Sequence, residues 1–303
     1  MQQSPSILYY DMAQQPHLLI AGCTGSGKSV LLNGLICDLI KQPPTKVGLI
    51  LIDPKRVELS RYAALPHCLA YACEPDAMAN TLEYSVELMM SRYDRMQRTQ
   101  QRLFCGSDVY VVIDEFADLI TTDKKRALPL LMRLAQLGRA AKVHLFIATQ
   151  RPTRDIVSGQ IKVNMDSRVA LRCPSAIDSR NIINVKGAET LPKHGKGYYL
   201  TPDTMQPLLI DIPNCTDDDI DTAIAAAMKF APPKPQQAKT GKVKRPLCPI
   251  KGKARALTYI LSALPLAVLG GNSADAMPVC ALAAFCIVIA EAIVFNIING
   301  LSR

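Results

Sequence analysis

Along the first 210 residues, short continuous apolar runs alternate with longer stretches in which apolar residues recur every three or four positions. A continuous run predicts a strand that is buried on both faces, and the longer spacing predicts a helix packed against the sheet. The runs that predict strands are 17–21, 47–52, 69–72, 109–113, 143–149, 169–171, 198–200 and 208–210. This pattern is typical of an α/β domain with a mostly parallel central sheet.

Helices are predicted between most of these strands. The apolar spacing indicates helices over about 30–40, 76–103, 124–141 and 216–231, with a shorter helix opening at 178–180. We expect Pro129 to lie in the first turn of the helix over 124–141, because proline has no N–H to donate and fits a helix start. Gly159 is expected in a loop.

The composition of the chain changes at Pro232. Residues 232–255 contain eight lysines and arginines, five prolines and no acidic residue, which is typical of a disordered basic linker. Residues 256–274 carry no charge, and residues 276–302 carry only Glu291. Two such stretches predict a helical hairpin in a membrane, and a pair of buried helices in a soluble subdomain is the alternative.

Composition and charge agree with a membrane-associated protein. The chain has 303 residues, of which 49% are apolar, and its net charge is +9. An excess of lysine and arginine marks cytoplasmic segments, so the basic linker and Arg303 are expected in the cytoplasm and the turn at 270–275 outside. Ten cysteines without a C-x-x-C pair indicate free thiols in a reducing compartment. We identify no secretory signal at the N-terminus.

The sequence GCTGSGKS at positions 22–29 separates the first predicted strand from the first helix. It matches the phosphate-binding pattern G-x-x-x-x-G-K-[ST], whose backbone N–H groups cradle phosphates. Lys28 would reach the β- and γ-phosphates, and the Ser29 hydroxyl would hold Mg²⁺. The alternative is a glycine-rich turn without a ligand. The residues predicted to bind nucleotide are Gly22, Cys23, Thr24, Gly25, Ser26, Gly27, Lys28, Ser29 and Val30.

Polar residues follow three later strands. Asp114 and Glu115 come directly after the strand 109–113, where Asp114 would hold Mg²⁺ and Glu115 would polarise the attacking water. Gln150 follows the strand 143–149 and is expected to sense the γ-phosphate or to orient water, with a hydrogen-bonded strand-end amide as the alternative. Asp53 and Lys55 are expected near the site, because open α/β sheets bind ligands at the carboxyl ends of their strands.

Residues 151–172 contain five basic residues and only two acidic ones. A basic segment beside the strand that ends in Gln150 could contact the phosphates of a polymer, and an ordinary solvated loop is the alternative. The histidines show no metal-ligand spacing, so Mg²⁺ is the metal that we predict.

Several stretches resemble the motor domain of FtsK/SpoIIIE-type DNA translocases, and they occur in the same order. They include PHLLIAGCTGSGKSV, LIDPKRVELSRY, VVIDEFADL, RLAQLGRAAKVHLFIATQRP and GQIKVNMDSRVALR. The resemblance covers residues 15–210. It implies a RecA-like P-loop NTPase core in a hexameric ring, with ATP between subunits and duplex DNA in the pore.

The resemblance also implies roles for individual residues. Asp114 and Glu115 would be the Walker B pair, and Gln150 would be the sensor. An arginine would be donated from the neighbouring subunit, and Arg168 and Arg180 are the candidates. Arg154 and Lys162 would follow the DNA backbone.

The predicted organisation is an ATPase motor domain over 1–231, a basic linker over 232–255 and a membrane hairpin over 256–303. Larger family members place membrane helices before the motor, and nothing after residue 210 resembles their winged-helix module. DNA transfer by a mobile element is therefore expected to fit at least as well as chromosome segregation.

We predict an ATP-hydrolysing motor at the cytoplasmic side of the cell membrane that translocates double-stranded DNA. The alternatives are a protein-secretion ATPase of the same superfamily and a non-motor, membrane-bound nucleotide-binding scaffold. Glu115 argues against the scaffold, since a scaffold needs no water-activating base.

Overall fold

The computed structural model describes residues 15–204 and 206–230, which contain eight strands and six α-helices. The strands are β1 His17–Ala21, β2 Val47–Ile52, β3 Cys68–Ala72, β4 Asp108–Ile113, β5 Val143–Thr149, β6 Ser167–Ala170, β7 Lys196–Leu200 and β8 Leu208–Asp211. The helices are α1 Lys28–Leu39, α2 Pro75–Thr99, α3 Phe116–Ala141, α4 Gly159–Asn164, α5 Ala176–Ile183 and α6 Asp217–Met228. The predicted α/β class is confirmed.

The strands form one sheet in the order β3-β2-β4-β5-β1-β6-β7-β8. In sheet order, the first six strands (β3, β2, β4, β5, β1 and β6) pair in parallel. The last two strands, β7 and β8, pair in antiparallel. The mostly parallel sheet is therefore confirmed. Because β5 lies between β1 and β4, the segments that follow these three strands emerge side by side at one edge of the sheet.

Helices cover both faces of the sheet, as the continuous apolar strands predict. Alternate residues of each strand point to opposite faces. Leu19 and Leu145 pack on the side of α2 and α3. Leu18, Ile20 and Phe146 pack on the side of α1 and α6. Strands that contribute to both cores need apolar residues at every position, which is why the strand bounds could be predicted closely.

Helix α3 contains the predicted helix over 124–141, and it has an additional first part. It begins at Phe116 rather than at 124, and its backbone breaks at Asp123, where φ is −149° and ψ is 70°. The Asp123 carboxylate accepts a hydrogen bond from the N–H of Arg126 at 3.2 Å and so caps the second part of the helix. Pro129 lies inside the helix rather than in its first turn. Gly159, predicted in a loop, is the first residue of α4.

Helix α6 packs against α1, the helix that follows the glycine-rich loop. Its N-terminus is capped by Thr216 and Asp219 in a reciprocal capping box. Arg61 pairs with Asp217 at 2.8 Å and with Asp221 at 3.3 Å. These contacts fix α6 to the turn that follows β2.

The predicted linker over 232–255 and the predicted hairpin over 256–303 lie outside the described residues. Across residues 15–204 and 206–230, none of the helices combines the length and apolar character needed to cross a bilayer.

Candidate active site

The loop over 22–27 connects β1 to α1, and its backbone requires glycine at two positions. Gly27 precedes α1 with φ of 91°, a left-handed conformation that favours glycine. A Cβ at Gly22 would lie 2.5 Å from Ser26 Oγ and 2.8 Å from Leu171 Cβ, so a side chain there would displace the loop. These two glycines therefore fix the shape of the loop.

Backbone hydrogen bonds fasten the start of the loop to the sheet. The N–H of Gly22 donates to the carbonyl of Thr149 at 3.2 Å, and the N–H of Cys23 donates to the carbonyl of Arg172 at 2.8 Å. Thr24 and Gly25 remain exposed at the tip. The first N–H groups of an α-helix have no intrahelical acceptor, so the start of α1 offers donors to an anion.

Lys28 and Asp114 form a buried ion pair. Lys28 is 4% exposed, and its Nζ lies 2.5 Å from Asp114 Oδ1 and 2.7 Å from the Asp114 carbonyl oxygen. Burial raises the pKa of the Asp114 carboxyl, and the Lys28 ammonium opposes this rise. The carboxylate of Asp114 and the hydroxyl of Ser29 are oxygen donors of the kind that Mg²⁺ prefers. The residues present therefore fit a magnesium nucleotide.

Glu115 is the most completely restrained carboxylate at this edge of the sheet. It is 2% exposed. Its Oε1 accepts hydrogen bonds from Thr149 Oγ1 at 2.8 Å and from the N–H of Gln150 at 3.1 Å. Its Oε2 lies 3.1 Å from Lys55 Nζ and 3.2 Å from the same Gln150 nitrogen. Glu115 thus contacts the ends of β2 and β5 at once.

Gln150 joins the glycine-rich loop to the acidic pair. Its backbone N–H binds Glu115, and its side-chain Oε1 accepts a hydrogen bond from Thr24 Oγ1 at 3.1 Å. This arrangement follows from the position of β5 between β1 and β4. A group that touches both the phosphate-binding loop and the carboxylate can respond to the state of either.

Asp53 and Lys55 lie at this edge, as the sequence suggested, but their contacts could not be predicted. Asp53 is fully buried, and its Oδ2 accepts a hydrogen bond from the N–H of Leu59 at 3.0 Å. This bond closes the turn that carries Lys55 to Glu115. Thr149 was not singled out in the sequence, although its place directly before Gln150 was a usable signal.

Arg168, one of the two candidates for the arginine donated to a neighbouring subunit, is bonded within its own domain. This residue is 8% exposed, and its guanidinium donates to three carbonyl oxygens. These oxygens belong to Met165 at 2.9 Å, Ile182 at 3.1 Å and Lys162 at 2.8 Å. Helix α5 packs against β6, the strand that carries Arg168. The guanidinium of Arg168 therefore joins the ends of α4 and α5 to β6.

The other predicted basic residues remain accessible. Arg180 on α5 and Arg154 in the segment after β5 are exposed, and Lys162 on α4 is half-buried. Burial, and after it the charges of Arg168 and Arg154, lower the pKa of Lys162. Arg154 and Lys162 both belong to the segment that follows β5, the strand that ends next to Gln150.

Three features define a P-loop ATPase domain. They are the glycine-rich phosphate loop after β1, the acidic pair after β4 and the polar end of β5 between them. The comparisons with known proteins narrow this class. The model of the FtsK/SpoIIIE family matches residues 2–108 and 96–154, which together are half of the chain. The chain belongs to the FtsK/SpoIIIE family.

The chain is 36% identical over 253 residues to the DNA translocase FtsK of Pseudomonas aeruginosa, and the match covers 71% of this chain and 31% of that protein. It thus spans about a third of that relative's length.

Two solved structures are also similar. The ATPγS-bound monomer of the pCW3 conjugation coupling protein TcpA is 25% identical, with a TM-score of 0.63 over 71% of this chain and 66% of that chain. The cytoplasmic domain of the type VII secretion ATPase EccC of Thermomonospora curvata is 23% identical, with a TM-score of 0.60 over 73% of this chain and 29% of that chain. The second likeness shows the fold alone.

Proposed function

We propose that this protein is an ATP-driven motor that translocates double-stranded DNA as a membrane-tethered, hexameric ring. The observation that carries the proposal is the placement of Glu115 beside the Lys28–Asp114 pair. Nucleotide binding requires the loop and the lysine, whereas a buried carboxylate next to them is needed to activate water. The similarity to a DNA translocase and to a conjugation coupling protein supports DNA as the substrate.

Each residue of the site has a distinct task in hydrolysis. The loop N–H groups and Lys28 would bind the phosphates and stabilise the charge that develops on the terminal phosphate. Glu115 would accept a proton from the attacking water, and Gln150 would link this carboxylate to the loop through Thr24. Mg²⁺, when bound, would be held by Ser29 and Asp114 and would neutralise phosphate charge.

Exposed basic residues would serve the neighbouring subunit and the DNA. Arg180 is the candidate for the arginine that completes the site of an adjacent subunit, because its side chain is exposed and that of Arg168 is not. Arg154 and Lys162 would bind DNA phosphates, since a motor that moves along any sequence needs backbone contacts rather than base contacts.

The proposed location is the cell membrane, with the motor domain on its cytoplasmic side. The hairpin over 256–303 would span the bilayer, and the basic linker over 232–255 would lie at its surface. Each lysine or arginine near an anionic membrane contributes about 1 kcal/mol of attraction, so the eight basic residues of this linker would favour the membrane surface.

The ATPase activity of the full-length protein, measured with and without duplex DNA, tests the proposal. We expect stimulation by DNA, and we expect Lys28→Ala and Glu115→Gln to lower hydrolysis by about 100-fold or more. Lys41→Ala is the matched control, because this exposed lysine pairs with Asp38 on the surface. Hydrolysis that duplex DNA leaves unchanged would refute the DNA proposal.

The membrane proposal has a separate test. Full-length protein and a variant that lacks 256–303 are expressed with the same tag, and the membrane and soluble fractions are compared. We expect deletion to release the protein. If the full-length protein is already found in the soluble fraction, the tether is refuted.

Stimulation of ATP hydrolysis by exported polypeptides instead of DNA would favour a secretion ATPase.

A further inference from the structure

Three groups bind the carboxylate of Glu115, and Lys55 is the charged one. Its Nζ lies 3.1 Å from Oε2 of Glu115. The other two donors, the Thr149 hydroxyl and the Gln150 N–H, both come from the end of β5. These two donors hold the carboxylate from the side of β5, and Lys55 adds a charged contact from the side of β2.

The two ends of the Lys55–Glu115 pair differ in their freedom to move. The Glu115 side chain is 2% exposed, whereas that of Lys55 is 37% exposed. The backbone around Lys55 is fixed, because Asp53 holds the N–H of Leu59 and Arg61 is paired with α6. A lysine ammonium on its flexible four-carbon chain can therefore leave Glu115 without a rearrangement of the fold.

Glu115 can act as a general base only if one of its oxygens is free to accept a proton from water. Oε1 accepts two hydrogen bonds, and Oε2 accepts one from Lys55 besides its share of the Gln150 N–H. A general base must lie within hydrogen-bonding reach of the water that it deprotonates and must have an acceptor position for that proton. With Lys55 in place, its ammonium occupies an acceptor position of Oε2.

We infer that Lys55 is a positioning residue that restrains Glu115, so that hydrolysis requires the ammonium of Lys55 to withdraw from Oε2. The inference rests on the proposed ATPase function and adds a control on its basal rate. Lys55 would keep hydrolysis low in the absence of DNA, and engagement of DNA would be coupled to release of the carboxylate.

The test compares Lys55→Met with Arg56→Met in the full-length protein. Arg56 is the matched control, because it is the adjacent basic residue and pairs with Glu74 at the surface. We expect Lys55→Met to raise the kcat for ATP without DNA by about threefold or more and to leave KM unchanged, and we expect DNA to stimulate this variant less. Lys55→Arg, which keeps the charge, should retain the low basal rate.

The failure of this inference can be distinguished from the failure of the proposed function. Wild-type protein that hydrolyses no ATP with or without DNA would refute the function itself. Active wild-type protein together with an unchanged or lowered basal kcat in Lys55→Met would overturn only the restraint.

A second measurement does not depend on activity. Melting temperatures of nucleotide-free Lys55→Met, Glu115→Gln and the double variant form a double-mutant cycle. We expect non-additive shifts, because each single change removes the same ion pair. Strictly additive shifts would show that the pair does not form, and this would also overturn the inference.

Discussion

The Thr24 hydroxyl donates a hydrogen bond to the side-chain oxygen of Gln150 at 3.1 Å, and the two residues are 126 positions apart in the chain. The contact forms because β5 neighbours β1, so the residue after β5 meets the tip of the phosphate loop. The backbone of Gln150 also holds Glu115. One residue therefore contacts both the group that would bind phosphate and the group that would activate water.

Gln150→Ala is expected to lower kcat for ATP by about tenfold while nucleotide affinity changes little, because the backbone N–H that binds Glu115 remains. Thr24→Val removes the same side-chain contact from the other partner and should have a smaller effect in the same direction. Steady-state kinetics with a separate nucleotide-binding measurement tests this. A change confined to KM would contradict the proposed link.

Arg168→Ala is expected to destabilise the domain by about 3 kcal/mol or more, because three buried carbonyl oxygens would lose a charged donor. Burial lowers the pKa of Arg168, but an arginine stays charged near neutrality. Denaturant unfolding measures the effect. The control is Arg180→Ala, at an exposed site, which should leave the free energy of unfolding within about 0.5 kcal/mol of wild type. An equal loss of stability in both variants would contradict the structural role of Arg168.

A mixing experiment tests whether Arg180 acts on a neighbouring subunit. Arg180→Ala and Lys28→Ala subunits are each expected to be inactive alone, since a trans arginine contributes about a thousandfold or more in related phosphate chemistry. Mixed before assembly, they should regain measurable ATPase activity, because an intact loop on one subunit meets an intact arginine on the next. No recovery in mixed assemblies would place Arg180 outside the site.

His17 is expected to make stability depend on pH. Burial, and after it the nearby His144, lowers the pKa of His17 from 6.5 to about 3, so the folded state keeps it neutral over a range in which the unfolded state protonates it. Its contribution to stability is therefore complete above pH 6.5 and is lost as the pH falls toward 3. The loss approaches about 1.4 kcal/mol per pH unit within that window.

His17→Asn keeps a hydrogen-bond acceptor near the position of Nδ1, which binds the N–H of Leu145 at 3.1 Å. Between pH 7 and pH 5, the free energy of unfolding should fall less steeply in this variant than in the wild type. His194→Asn is the control, because His194 is exposed in a loop. Identical pH slopes in His17→Asn and wild type would contradict the buried, neutral state of His17.

The strands could be predicted from the sequence because burial on two faces leaves a continuous apolar signal. The beginning of α3 could not be predicted in this way. Its first turns contain Thr121 and Thr122, which have low helix propensity and whose hydroxyls bond back to the carbonyls of Ala117 and Asp118 at 2.7 and 2.8 Å, a contact that favours bending of a helix. Packing of Phe116 in the core keeps this first part helical, and the backbone breaks directly after it, at Asp123.

The predicted site residues met at one edge because their strands run in parallel, but the partners of Glu115 depend on which strands are neighbours. Lys55 and Glu115 are 60 positions apart and meet because β2 adjoins β4. Strand order is not written in any local pattern, so neither this contact nor the burial of Arg168 could be derived from the sequence.

The bonds of Arg168 have a mechanical consequence for the basic segment after β5. At its far end, Arg168 fastens the last turns of α4 and α5 to the sheet, and at its near end the N–H of Arg151 is bonded to Thr149 Oγ1 at 3.1 Å. The segment is thus anchored at both ends, and between them Val157 and Ile161 are buried in the core. Its near anchor, Thr149, is also the residue whose hydroxyl donates to Glu115, so a displacement of the segment would act on a group that holds this carboxylate.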